Sequence, residues 1–221
     1  MVTNGIDFAT LRPMVRIFIA SVVLCAGPAA ADDLFADRPA RTVEARPETA
    51  ELGSLRLDGE AGTPTFGTKG TRWWTFGGGI ADDLNESTDY NLRVAWSHFL
   101  ATDIEFSLEA NGWYFDQPGD NTFGINPAFV FRWHLYNEGN WSVFGDVGIG
   151  FLVTTDDTPD KGTSFNFTPR IGAGVTYRVS EDVRLQFGLR WHHISNARLE
   201  GDSENPARAG VLLYAGVMIP F

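Results

Sequence analysis

The chain has 221 residues, among them 24 glycines and 13% aromatic residues, and its formal net charge is −11. This length suits one domain with a sizeable core, and the acidic balance gives no footing for nucleic acid. The only cysteine, Cys25, lies in an N-terminal leader, which excludes disulfide and thiol chemistry from the mature chain.

Residues 1–31 have the features of a secretory signal peptide. Two arginines precede the apolar run 17–25, and three alanines at 29–31 offer a small-residue cleavage site. Residues 32–70 are rich in Ala, Glu, Arg, Pro and Gly and show no sustained period, so we expect a mostly irregular periplasmic arm. Nothing after the leader approaches the roughly 18 consecutive apolar residues of a membrane helix.

From residue 71 onward, apolar and polar residues alternate, which predicts β-strands. The alternation falls into eight runs: 72–80, 88–98, 102–115, 122–136, 141–154, 163–178, 182–196 and 209–221. One face of the runs is apolar, and the other carries Arg93, Glu105, Glu109, Arg132, His134, Asp146, Arg170, Arg178, Arg184 and Arg190. A soluble barrel or sandwich would bury the apolar face. A transmembrane barrel would turn that face to lipid and pair the charges with each other in a narrow lumen.

Three features favour the transmembrane barrel. Short connections alternate with longer, acidic ones, as in outer-membrane barrels. Aromatic residues gather at both ends of the runs, where the two membrane interfaces select them. The chain also ends on Phe221, on the apolar face of the last run. We therefore predict an all-β fold, an eight-stranded antiparallel transmembrane β-barrel of the outer-membrane type spanning residues 71–221.

The seventh run ends in an unusual pair of residues. Its apolar face continues through Trp191 to His193 and Ser195, at the outer end of the predicted strand. A rise of about 30 Å along this strand, against an apolar band about 25 Å tall, puts Ser195 at or just above the outer hydrocarbon boundary. A serine needs a base within hydrogen-bond reach to act as a nucleophile, and His193 is one strand repeat away. Asn196 is expected to direct its amide toward an oxyanion.

The segment H-I-S-N-A, His193 to Ala197, followed by Asn205-Pro206, resembles the PagL family of lipid A 3-O-deacylases. The resemblance implies an outer-membrane esterase of a Gram-negative bacterium that removes the 3-linked hydroxyacyl chain of lipid A, in lipopolysaccharide, without a metal or other cofactor. It also implies that His193 is the base and Ser195 the nucleophile.

This sequence departs from the PagL family at the third member of the expected triad, the acid. In the PagL family an acid at the start of the last strand completes the triad, and by spacing past Asn205-Pro206 the matching position is Ala209. Glu204 is our first choice for a substitute acid, with Glu200 and Asp202 as the other candidates in the same loop.

Other features support simpler interpretations. His192 and His134 are expected in the lumen and His98 at the periplasmic interface, while the acidic loop clusters are interpreted as solvated loops, not metal sites. No G-x-S-x-G elbow, P-loop, H-E-x-x-H or zinc-type cysteine pair occurs. The expected partners are lipid A and other outer-membrane lipids, and a homodimer stays open. The alternative function is a non-catalytic structural or adhesive barrel derived from such an enzyme.

Overall fold

The structure, a computed structural model, describes residues 65–84, 86–201, 203 and 205–221. The predicted signal peptide and residues 32–64 of the predicted arm lie outside this part of the chain. The strands are β1 (Arg72–Asp82), β2 (Thr88–Ala101), β3 (Ile104–Asp116), β4 (Thr122–Asn137), β5 (Trp141–Thr154), β6 (Phe165–Phe167), β7 (Arg170–Arg178), β8 (Arg184–Ile194) and β9 (Arg208–Pro220). Within the described ranges, no helix has the length and apolar character needed to cross a membrane.

The strands form one closed antiparallel barrel. Consecutive strands pair, β9 pairs with β1, and the β4–β5 pairing completes the ring. The short β6 and the longer β7 pair with β5 in one continuous register, so together they make a single barrel strand. The eight-stranded barrel predicted from the sequence is confirmed, and the strand ends differ from the predicted runs by no more than three residues.

A proline causes the division between β6 and β7. Pro169 has no N–H, so it cannot donate to the sheet, whereas its carbonyl oxygen accepts the N–H of His193 at 3.0 Å. The preceding residue, Thr168, exchanges two backbone hydrogen bonds with Gly150, at 2.8 and 3.2 Å. The predicted run 163–178 is therefore one barrel strand that lacks one hydrogen bond.

The inner face of the barrel is polar and carries an ion-pair network. Arg190 donates to Glu109 at 3.0 Å and to Asp146 at 2.7 Å, and Arg132 lies 3.1 Å from Glu105 and 3.2 Å from Asp146. All of these side chains are buried. Removing one partner of a buried pair typically costs about 3–5 kcal/mol, so mutual pairing is what allows the charges to occupy the lumen. This agrees with the predicted structural ion pairs.

The outer face is apolar, as expected of a barrel whose exterior meets lipid. Large apolar side chains are exposed on every barrel strand, among them Phe76, Leu92, Leu108, Ile125, Trp133, Val147, Ile171, Phe187 and Val217. One residue departs from the predicted distribution: Arg178, expected on the inner face, is exposed because it lies at the end of β7.

The two ends of the barrel differ in their connections. The links 102–103, 138–140 and 179–183 are short and lie at one end, which we call the turn end. The links 83–87, 117–121, 155–164 and 195–207 lie at the other, which we call the loop end. Two of the loop-end links, 155–164 and 195–207, are longer than every turn-end link, as in barrels with short periplasmic turns and longer outer loops, whereas 83–87 and 117–121 are as long as 179–183.

The last residues of the predicted arm are ordered and fill the turn end of the lumen. Phe66 is only 6% exposed and packs edge-on against Trp73 and Phe99, with ring centroids 5.3 and 5.2 Å away. The guanidinium of Arg184 lies 3.8 Å from the centre of the Phe66 ring, and the side chain of Asn137 donates to the Phe66 carbonyl at 3.2 Å. Residues 65–70, the end of the predicted arm, therefore pack with the barrel.

Candidate active site

The alternation of β8 separates the two histidines of Trp191-His192-His193. His192 is buried in the lumen, stacked on Trp113 with ring centroids 5.4 Å apart. His193 and Ser195 are half-buried on the outward face, where successive side chains of a strand must alternate. The structure thus brings both predicted residues to the loop end of the barrel, on the side that faces lipid.

The Ser195 hydroxyl has two hydrogen-bond partners. It donates to Oδ1 of Asn205 at 3.1 Å and accepts the backbone N–H of Ala197 at 3.1 Å. Oδ1 of Asn205 also accepts the N–H of Asn196 at 3.2 Å, which ties the start of the loop to its end. The loop 195–207 therefore holds the serine oxygen in a defined position before any substrate binds.

The imidazole of His193 makes no hydrogen bond to the residues that the structure describes, Ser195 included. Its ring instead stacks on Trp191, with centroids 5.7 Å apart and planes inclined by 15°. Hydrogen bonds between a base and its nucleophile are often long or unmade before substrate binds. The structure thus presents, on one face, the His193 imidazole without a hydrogen bond to the described residues and the Ser195 hydroxyl in a fixed orientation.

The chain turns sharply directly after the serine. Ala197 and Arg198 both have positive φ angles, 56° and 63°. Residues other than glycine adopt this left-handed conformation uncommonly, and such positions concentrate at functional sites. The turn directs the Ala197 N–H at the serine oxygen and so helps to fix the position of that oxygen.

The side chain of Asn196 does not lie with this group. It is 2% exposed and points to the inner side, where Nδ2 donates to Thr163 at 3.3 Å and Oδ1 accepts the N–H of Arg198 at 2.8 Å. Neighbouring residues of a strand face opposite sides, so an outward Ser195 requires an inward Asn196. This geometry does not support the predicted role of the Asn196 amide toward an oxyanion, and the residue instead stabilises the turn.

Family comparison supplies the context for this arrangement. A family model described as lipid A 3-O-deacylase (PagL) matches residues 83–207, more than half of the chain. The chain belongs to the PagL family. The matched segment includes His193, Ser195 and Asn205 and ends two residues before Ala209.

Solved structures share the fold of this PagL family member. The outer membrane enzyme PagL covers 67% of this chain and 99% of its own, with 22% identity and a TM-score of 0.50. Neisserial surface protein A covers 68% and 96%, with 17% identity and a TM-score of 0.52. The N-terminal β-barrel domain of Pseudomonas aeruginosa OprF covers 69% and 98%, with 16% identity and a TM-score of 0.51. A search of curated protein sequences found no match.

Alanine occupies position 209, where the family resemblance predicts the acid of the triad. Ala209 pairs directly with His193 across β8 and β9 and is exposed on the same outward face. Directly paired side chains in an antiparallel sheet have Cβ atoms about 5 Å apart, so a carboxylate there would reach the imidazole. Glu204 and Asp202 lie outside the described residues, and Glu200 is exposed without a hydrogen bond to His193.

Sequence reasoning missed the contribution of Asn205. The Asn205-Pro206 pair served only as part of the family resemblance, yet the Asn205 side chain accepts a hydrogen bond from the Ser195 hydroxyl. A signal was present, because a residue before proline is restricted to extended conformations and so can hold its side chain at a fixed angle. The pairing with Ser195, 10 positions earlier, depends on loop closure and has no periodic signature.

Proposed function

We propose that this chain is an outer-membrane serine esterase that removes the 3-O-linked hydroxyacyl chain of lipid A. The observation that carries the proposal is the outward His193–Ser195 pair at the loop end of a barrel that belongs to the PagL family. An ester dissolved in water would not reach a nucleophile on the lipid-facing side of the barrel. A lipid embedded in the outer leaflet would present its ester at this depth.

The surface below the pair is suited to an acyl chain. On the turn-end side of Ser195, the outward residues of β8 are Trp191, Leu189 and Phe187. Their partners on β9 are Val211, Leu213 and Ala215. Apolar side chains at these positions continue the hydrocarbon environment up to the serine. The polar part of the lipid would then lie at the level of the loops.

The chemistry follows from the two side chains. The Ser195 hydroxyl first turns from Oδ1 of Asn205 to the imidazole of His193, and its proton passes to that ring as Oγ attacks the ester carbonyl. The resulting oxyanion lies near the Ala197 N–H. Collapse of the tetrahedral intermediate breaks the bond to the sugar oxygen, which takes the proton from the imidazolium. Water, deprotonated by His193, then attacks the acyl-serine and releases the hydroxy acid, restoring both residues. No step requires a metal or an organic cofactor.

Mass spectrometry of lipid A from Gram-negative cells that express the chain tests this proposal. We expect a species that has lost one hydroxyacyl chain with the wild type and none with Ser195→Ala. Ser164→Ala is the matched control, since Ser164 is an exposed loop-end serine. Its hydrogen bonds to the described residues, from the backbone N–H and the hydroxyl of Thr154, use its backbone carbonyl.

Unchanged lipid A in cells that hold folded wild-type protein in the outer membrane would contradict the esterase. It would favour the alternative of a non-catalytic structural or adhesive barrel. The alanine at position 209 is the observation that keeps this alternative in view.

A further inference from the structure

A histidine that acts as a base needs a group that orients its ring and stabilises the imidazolium. In this chain the outward neighbours of His193 offer no carboxylate among the described residues. Ala209 faces it from β9, and Pro169 faces it from the β6–β7 strand, where the Pro169 carbonyl oxygen accepts the backbone N–H of His193. Among the described residues, the group in contact with the ring is therefore of another kind.

Trp191 is in contact with the imidazole. It lies two residues before His193 on the same face, and the two rings stack nearly parallel, with planes inclined by 15° and centroids 5.7 Å apart. Offset stacking in this range is a favoured arrangement of aromatic rings. The face of an indole also attracts a cation more strongly than the other aromatic side chains do.

We propose that Trp191 is a positioning residue that takes over part of the role that an acid at position 209 would have. Its indole face fixes the plane of the His193 imidazole, so that one ring nitrogen can turn to Ser195, and it stabilises the imidazolium formed when the serine gives up its proton. This inference rests on the proposed esterase function. It assigns the base a neutral aromatic support instead of a carboxylate.

The barrel contains its own control for this stack. Trp96 and His98 form a similar outward pair at the turn end, with centroids 6.0 Å apart and planes inclined by 15°. Leu100, not a serine, follows His98 at the next outward position. A general effect of losing an interfacial tryptophan should appear equally at both places, whereas a positioning effect should appear only at Trp191.

The test compares purified Trp191→Leu, Trp191→Phe and Trp96→Leu proteins with the wild type, using lipid A in detergent micelles. We expect Trp191→Leu to lower kcat about tenfold with little change in KM, since stacking and cation–π contacts are weak but selective for the charged ring. Trp191→Phe should recover most of the rate, and Trp96→Leu should leave it unchanged. Equal rates for the Leu and Phe variants at position 191, or an unchanged rate in Trp191→Leu, would overturn the proposal.

A double variant asks whether Trp191 and an acid do the same job. In an Ala209→Glu background, a carboxylate opposite His193 should make the stack less necessary, so that Trp191→Leu costs about twofold instead of about tenfold. A full tenfold cost in both backgrounds would contradict the shared role.

The outcome for the wild type separates this inference from the proposed function. An active wild type with an unaffected Trp191→Leu variant removes only the positioning role. An inactive wild type removes the esterase, and the positioning role with it. Should Trp191→Leu fail to fold, the ranking of wild type, Trp191→Phe and Trp191→Tyr, which all keep an aromatic face, decides the question through its order, which should follow the strength of cation–π attraction.

Discussion

Two tryptophan–histidine stacks lie on the outer face of this barrel, one at each end. Trp96–His98 and Trp191–His193 have the same spacing, the same inclination of 15° and centroid separations of 6.0 and 5.7 Å. Both suit the membrane interface, where aromatic rings with a polar edge are favoured. The stack by itself is therefore a feature of the interface and not of chemistry.

The surroundings of the two histidines differ. His98 pairs with Arg72 and Phe106 on its neighbouring strands, and its own strand soon ends in a two-residue turn. His193 pairs with the small Ala209 and is followed by Ser195, whose hydroxyl is held by a longer loop. The comparison teaches that the loop end adds a serine with an oriented hydroxyl to a tryptophan–histidine pair, whereas the pair at the turn end is followed by Leu100.

The largest expected difference between the stacks concerns the histidines themselves. His193→Gln should reduce lipid A deacylation about 1,000-fold, because the serine loses its general base. His98→Gln should change the rate less than about twofold, since no nucleophile lies beside it. Rates from purified, folded variants in micelles measure both. Similar losses in the two variants would show that an interfacial histidine matters only for the barrel.

The loop contact predicts the next largest effect. Asn205→Ala removes the acceptor that holds the Ser195 hydroxyl and the Asn196 N–H, so we expect a drop in kcat of about 30-fold from lost orientation. Asn121→Ala is the control, because Asn121 is an exposed loop-end asparagine that accepts from the Gln117 backbone N–H at 3.4 Å. A normal rate in Asn205→Ala would mean that the contact with Ser195 is incidental.

A gain of activity is expected from restoring the acid. Ala209→Glu places a carboxylate directly opposite His193, and we expect kcat to rise about tenfold as the imidazolium gains a charged partner. Ala215→Glu, on the same face of the same strand but opposite Phe187, supplies a control that keeps the added charge. A rate unchanged or lowered by Ala209→Glu alone would indicate that another group already fills the acid's role.

The smallest effect is expected from a variant that gives the Trp96–His98 stack a serine at the position equivalent to Ser195. Leu100→Ser puts a serine two residues after His98, as in the outward pair at the other end. In a Ser195→Ala background we expect no restored deacylation, because residue 100 lies inside β2, whereas residue 195 lies just past the end of β8 beside the Asn205 side chain. Measurable serine-dependent hydrolysis in this variant would show that spacing alone is sufficient.

Much of the fold was accessible from the sequence because it depends on local alternation. A period of two identifies the strands and assigns His193 and Ser195 to one face, and the charged residues to the other. The same rule applied to Asn196 would have directed its side chain inward, where the structure has it.

The features that sequence reasoning did not reach depend on loop closure. Ala197 and Arg198 are left-handed without being glycine or asparagine, so no local preference marks the turn. Phe66 fills the turn end of the lumen although its neighbours in the chain show no periodicity. Pro169 is tolerated inside a paired strand because only one hydrogen bond is lost there.

The central claim is that Ser195 is an activated nucleophile on the lipid-facing surface. The most direct test exposes the folded protein in micelles to a lipid-like phosphonate that forms a covalent bond with activated serines, and then maps the modified peptide by mass spectrometry. We predict a single adduct, on Ser195, whose formation slows strongly in His193→Gln. An unmodified Ser195 in a protein shown to be folded, or an adduct on another serine, would contradict the account.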